Sequence, residues 1–146
     1  MEPVLLDTDV FSMLHRGDRR GFPYEEDVRG RTCCLSFASV AELRFGAIAA
    51  GWGERRRERL EHAIARAVVL PADDAVTLAW AQVKAARQRV GHPISSEDCW
   101  VAATALAYNL PLLTHNASDY RDVPGLRVVS HSQPDAEHRP PEPRPG

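Results

Sequence analysis

The stretch VLLDTDVFS, residues 4–12, runs three apolar residues straight into two aspartates separated by one threonine. A short apolar run bounded by polar residues reads as a buried strand, Val4–Leu6. Charged side chains avoid such surroundings, yet Asp7 and Asp9 stand where the strand ends. Whatever this chain does, that juncture is the first place to look for it.

Outward from there, short apolar runs alternate with longer helical patterns. Strands are expected at Val4–Leu6, Cys33–Ser36, Val68–Leu70, Pro111–Thr114 and Arg127–Val129. Helices are expected at Asp9–His15, Ser39–Ala50, Glu54–Ala67, Asp74–Val90 and Glu97–Tyr108. This alternation predicts an α/β domain whose sheet is mainly parallel and covered by helices on both faces. Ser39-x-x-Glu42 and Ser95-x-x-Asp98 fit capping boxes, Asp73–Asp74 opens the long helix, and Gly91-His92-Pro93 closes it. Residues 17–30 are charged and turn-rich, and read as a loop or a short helix.

With 146 residues, 44% of them apolar, the chain fits one domain over residues 1–131. Residues 132–146 carry five prolines and no large apolar side chain, which predicts a disordered tail. A net charge of −2 excludes a molecule-wide basic field, so nucleic-acid contacts would need a local patch. Lys84 is the only lysine; arginine, the better bidentate partner for phosphate, carries the remaining positive charge. The segment ERRRERLEHAIARA, residues 54–67, reads as a solvated amphipathic helix with Leu60 and Ile64 inward, its arginines diluted by Glu54, Glu58 and Glu61. Adjacent Cys33 and Cys34 should face opposite sides of a strand, and with Cys99 they suggest reduced thiols in a cytoplasmic protein. No apolar run approaches the roughly 18 residues of a membrane span, and no signal peptide is apparent.

The acids carry the chemistry. In a parallel α/β sheet, ligands gather beyond the carboxyl ends of the strands. Asp7 and Asp9 lie at that end of the first strand; Thr114, Asn116 and Asp119 follow a later strand; Glu42 and Asp98 occupy first turns of helices. Crowded carboxylates raise one another's pKa, and a divalent cation offsets the repulsion. Oxygen-only donors suit Mg²⁺ or Mn²⁺. Each acid also has a plain structural reading: Glu42 and Asp98 as capping-box partners, Asp9 as a helix cap, Asp119 as a turn residue. Asp7 is the hardest to explain that way.

Taken together, LLDTDVFS, SFASVAELRFG, SSEDCWVAATALAYNLPLLTHNASDY and VPGLRVV resemble PIN-domain ribonucleases, above all the VapC toxins of bacterial toxin–antitoxin modules. The resemblance covers nearly all of residues 4–130. It implies a five-stranded sheet in the order 3-2-1-4-5 within a three-layer fold. By position, Asp7, Glu42 and Asp98 match the family's core acids, and the fourth acidic position falls at Asn116 or Asp119, with Asp119 favoured. Asp9 stands where the family often has asparagine. Thr8, Asp9, Thr114 and Asn116 would support the carboxylates by hydrogen bonds. The implied activity is Mg²⁺- or Mn²⁺-dependent endoribonuclease cleavage, of tRNA or rRNA, with water attacking phosphorus in line. Implied partners are the RNA substrate, a cognate VapB-type antitoxin and a second copy in a homodimer. Arg16, Arg19, Arg20 and Arg44 are candidates for reversing the acidic field, and His115 reads as an exposed loop residue.

Two rival readings remain at this level. DTD after a strand also fits a haloacid-dehalogenase-type phosphatase with Asp7 as nucleophile, Asp9 as acid–base, and Lys84, Asp119 and Asp122 in support. That scheme leaves Glu42 and Asp98 idle. A non-catalytic RNA- or protein-binding domain is the other.

Overall fold

A computed structural model of the protein describes residues 1–132. Five parallel strands, β1 (Val4–Leu6), β2 (Cys33–Ser36), β3 (Val68–Leu70), β4 (Leu112–Leu113) and β5 (Val128–Val129), form one sheet in the order β3-β2-β1-β4-β5. This is the expected order, and every pairing is parallel. β1 lies at the centre, with Leu5 opposite Cys34 on one side and Leu112 on the other. The ladder runs past β4, since the Thr114 N–H donates to the Val129 carbonyl at 3.1 Å.

The side-chain alternation of β1 divides the core. Leu5 packs with Cys34, Val83, Cys99 and Ala102 beneath α5 (Asp74–Arg89) and α6 (Ser96–Ala107). Val4 and Leu6 pack with Val10, Phe11, Val40, Leu60 and Ile64 beneath α1 (Thr8–Arg16), α3 (Phe37–Ala49) and α4 (Glu54–Arg66). The three-layer arrangement follows from that period of two. Cys33 and Cys34 do fall on opposite faces, and all three thiols are free.

Two strands pass into helices without a loop. Leu6 ends β1, Asp7 is the cap residue, and α1 begins at Thr8. Likewise β2 ends at Ser36, whose hydroxyl accepts from the Ala38 N–H at 3.2 Å and caps α3. The helices were expected to begin later, at Asp9 and Ser39, by one and two residues. Asp7, not Asp9, caps α1; Ser36, not Ser39, caps α3, so the proposed capping box at Ser39 and Glu42 does not form. Ser39 is buried one turn inside the helix, its hydroxyl without a partner among the described residues. The other caps stand as read: Asp73 accepts from Val76, Ser95 accepts from Asp98, and Gly91 takes the left-handed φ of 76° that closes α5.

Residues 17–30 form a 3-10 turn (Arg19–Gly21) followed by α2 (Phe22–Val28), which buries Tyr24. A second 3-10 turn, Ala117–Tyr120, follows β4 and buries Tyr120. The Pro-rich segment assigned as a tail lies, apart from Ser132, outside the described residues. Among the described residues no helix is long and apolar enough to cross a membrane.

Candidate active site

Because β1 runs directly into α1, Asp7 is pinned at the carboxyl edge of the central strand and is only 8% exposed. Both of its oxygens are engaged. Oδ1 accepts from the Thr8 N–H at 2.9 Å, and Oδ2 accepts from the Thr114 and Tyr120 hydroxyls, each at 2.8 Å. Burial, and then the neighbouring Asp9 carboxylate, push its pKa from 3.8 up to about 6 against these three donors.

The Tyr120 hydroxyl also lies 3.4 Å from Asp98 Oδ1, on the first turn of α6, and so joins the first strand to the last helix. Burial and the Asp7 and Asp98 carboxylates hold its phenol above its usual pKa, which keeps the O–H a donor. Glu42, from α3, takes the Thr8 hydroxyl on Oε2 at 2.9 Å. Thr8 thus donates its amide to one acid and its hydroxyl to another.

Asp9 is held separately. Oδ1 accepts from the Val10 N–H at 2.6 Å, and Oδ2 from the His115 N–H at 3.1 Å and the Asn116 side-chain amide at 2.8 Å. Asn116 therefore serves Asp9, and its backbone N–H reaches the same Thr114 hydroxyl that donates to Asp7, at 3.1 Å. Asp119 is exposed on the second 3-10 turn, where its carboxylate lifts the pKa of Asp98.

Burial raises Asp9, Glu42 and Asp98 above the ordinary carboxylate range, reinforced by the other acids. Among the described residues no arginine, lysine or histidine forms an ion pair with Asp7, Asp9, Glu42 or Asp98. Nor do any three His, Cys, Asp or Glu side chains among them form a group that could hold a metal. The donor set nevertheless fits Mg²⁺ or Mn²⁺. Mg²⁺ commonly takes one or two carboxylates and completes its shell with water and substrate phosphate. Asp7 and Asp98, joined through one hydroxyl, offer such a pair, and neither has an ion-pair partner among the described residues.

The sequence reading overlooked Tyr120, Tyr24 and Arg87. Tyr24 accepts from the His131 N–H at 2.9 Å, and its hydroxyl lies 2.9 Å from His115 Nδ1. His115 is consequently half-buried and wedged between Tyr24 and Asp9, not an exposed loop residue as expected. Arg87 is buried and donates to the carbonyls of His92 and Asp119. A buried tyrosine needs a hydroxyl partner; that rule, applied to SDYRDV, was the available signal. Of the candidate arginines, Arg44 is clamped by Glu61, and Arg16 and Arg20 share Asp18. Lys84 donates to the Ile94 carbonyl and stands 5.5 Å over Trp80, engaged away from the acids that the phosphatase scheme required it to serve.

Tyr120→Phe isolates the bridging hydroxyl. Losing one donor worth about 1.5 kcal/mol to a charged acceptor should move the Asp7 midpoint upward from about 6 by roughly one pH unit. A carboxyl-carbon NMR titration measures this directly, and an unmoved midpoint would mean that Thr114 and Thr8 alone set it.

Residues 4–126 match the family model described as PIN domain. The VapC ribonuclease Y4jK of Sinorhizobium fredii is 32% identical over 139 residues, spanning 90% of this chain and 99% of that one. The tRNA(fMet)-specific endonuclease VapC of Shigella flexneri is 31% identical over 132 residues, spanning 90% and 100%. Among solved structures, DNA-bound VapBC from Salmonella typhimurium superposes with a TM-score of 0.78 at 25% identity, over 89% of this chain and 98% of that one. FitAcB from Neisseria gonorrhoeae gives 0.74 at 28%, over 89% and 97%. These matches leave no room for the dehalogenase-type alternative. With its sheet order, its strand-to-helix acids and these relatives, the chain belongs to the PIN-domain family, in its VapC-type branch.

Proposed function

We propose that this protein is the RNA-cleaving toxin of a toxin–antitoxin pair, a metal-dependent endoribonuclease acting through Asp7, Glu42, Asp98 and Asp119. The observation that carries the reading is the gathering of carboxylates, without ion pairs among the described residues, from β1, α3 and α6 at one end of the sheet, with pKa values raised by burial and by one another. A protein stabilises such a set poorly on its own, and a divalent cation would relieve it. When bound, the ion would supply Lewis acidity at the phosphodiester and lower the pKa of attacking water.

The chain's own residues do the rest. Thr8 fixes Glu42 and Asp7 relative to one another, and Thr114 and Tyr120 fix the second oxygen of Asp7. Asp9 with Asn116 ties the loop after β4 to the start of α1, so that the turn bearing Asp119 faces Asp98. Support for a protein partner comes from the VapBC complexes among the structural neighbours, and a cognate VapB-type antitoxin is the corresponding partner here. We extend the proposal to a homodimer and to the cytoplasm, where Cys33, Cys34 and Cys99 would stay reduced.

The test is cleavage of total RNA by purified protein with Mg²⁺, Mn²⁺ or EDTA, beside Asp98→Asn. Discrete fragments that need the ion and vanish in the variant are expected. Equal cutting by parent and variant would signal a contaminant and remove Asp98 from the site. Hydrolysis of p-nitrophenyl phosphate without RNA cleavage would sink the nuclease assignment.

A further inference from the structure

The arginines of α4 were read from sequence as diluted by glutamate; that holds for Arg57, which lies beside Glu61, but the fold sets three others apart. Arg56, Arg59 and Arg66 recur at a spacing that keeps them on one face, while Glu54, Glu58 and Glu61 fall on another. Leu60 and Ile64 occupy the buried stripe between these two faces. The acidic face looks toward α3, where Glu61 clamps Arg44 at 2.7 Å. The basic face looks toward α1. There burial, and then Arg59, Arg56, Arg66 and Arg16, hold the His15 imidazole below its usual pKa. Among the described residues Arg56, Arg59 and Arg66 form no ion pair, and Arg56 lies 3.8 Å over the Trp52 ring.

A cleft in two lobes that share Phe11 and His15 lies beside this face, with Arg16 lining one lobe and Arg66 the other. One lobe, of about 290 Å³, opens at Thr8 and Glu42 and is walled by Trp52 and Leu43. The other, of about 420 Å³, reaches Arg66 and Ala67. Cations without an ion pair among the described residues, beside the exposed His15 ring and continuous with Glu42, form a surface for a polyanion with exposed bases. A duplex would present its bases stacked inside the helix, where this ring could not reach them.

We propose that single-stranded RNA enters the site along this face, with its phosphates on Arg16, Arg56, Arg59 and Arg66 and an unpaired base against the exposed ring of His15. The proposal rests on the nuclease reading and names the path by which the substrate reaches Glu42. It also supplies what that reading lacks, a source of positive charge to bring a polyanion to a cluster of acids. Arg16 keeps only a 3.6 Å contact with Asp18, an acid already engaged by Arg20, so it can turn toward the strand.

The test uses the full-length protein in EDTA and a fluorescein-labelled, mixed-sequence single-stranded RNA, followed by anisotropy over a range of salt. Arg59→Gln/Arg66→Gln is the informative pair, since Arg56 stacks on Trp52 and its loss could disturb α4. Each lost phosphate contact should reduce the salt slope by about 0.7, so the pair should flatten it by about 1.4 and weaken binding roughly tenfold near 0.1 M salt. Arg29→Gln/Arg127→Gln, at ion pairs elsewhere, should leave the slope unchanged. An unaltered slope in the α4 variant would overturn the proposal and give the face to a protein partner. Failure of the nuclease reading shows separately, as absence of metal-dependent cleavage by a parent that still binds RNA through α4.

Discussion

Asp7→Asn should abolish RNA cleavage and, in the absence of metal, raise thermal stability. The first effect follows from removing a charge worth several kcal/mol in transition-state stabilisation, about a thousandfold in rate. The second follows from linkage. The carboxyl titrates at about 6 in the folded chain and near 3.8 unfolded, so between those values the folded state binds more protons. Stability contributed by Asp7 is therefore greatest below pH 4, declines as pH rises to 6, and is lowest above it. That span of about two pH units corresponds to at most roughly 3 kcal/mol of destabilisation at pH 7. Asparagine keeps the cap role at the start of α1 and still accepts from Thr8. A gain of about 1–2 kcal/mol, or roughly 5 °C in midpoint, is expected in EDTA at pH 7.5, shrinking toward pH 4. A variant that melts lower than the parent at both pH values would show that the three hydrogen bonds to the carboxylate outweigh its desolvation.

The same residue shows what a sequence can and cannot disclose. VLL next to DTD was enough to place β1 and to mark its end, because burial and charge are local properties. The parallel order and the two helix layers followed from alternation and from the family resemblance. Helix starts were misplaced at α1 and α3 because strand and helix abut there, and a cap read by motif favours Ser39 over Ser36. Nothing local reveals that Ser36 closes β2 and opens α3 at once. The site was legible only as a set of acids. Its organisation depends on Tyr120, which reaches Asp7 from 113 positions away, and on Thr114, which reaches it from 107. Charge sorting on α4 is different in kind. The helical spacing of Arg56, Arg59 and Arg66 was present in the sequence, but only the position of α1 tells which face meets the cleft.

Arg87→Met should be the most destabilising single change near the site, although no sequence motif points to it. The guanidinium is 6% exposed and donates to the His92 carbonyl at 2.6 Å and the Asp119 carbonyl at 2.8 Å. It lies in the last turn of α5, where the helix dipole favours a cation. Methionine preserves the buried stem but leaves two carbonyls without their donor, at about 1–3 kcal/mol each. Relief of the guanidinium's desolvation offsets part of that cost. A net loss of about 2–4 kcal/mol is expected, seen as a lower urea midpoint with an unchanged slope. The consequence for the site is specific, because the Asp119 carbonyl belongs to the turn that also presents Tyr120. Freed from Arg87, that turn should loosen, the Tyr120 hydroxyl should drift from Asp7 and Asp98, and cleavage should fall even at temperatures where the variant is fully folded. Loss of stability with undiminished cleavage in the folded variant would show that Val123 and the packing of Tyr120 hold the turn without the arginine. Arg87→Lys separates the two roles: one ammonium can keep a charge in the cavity but cannot reproduce the fork that spans both carbonyls. It should recover part of the stability and less of the activity.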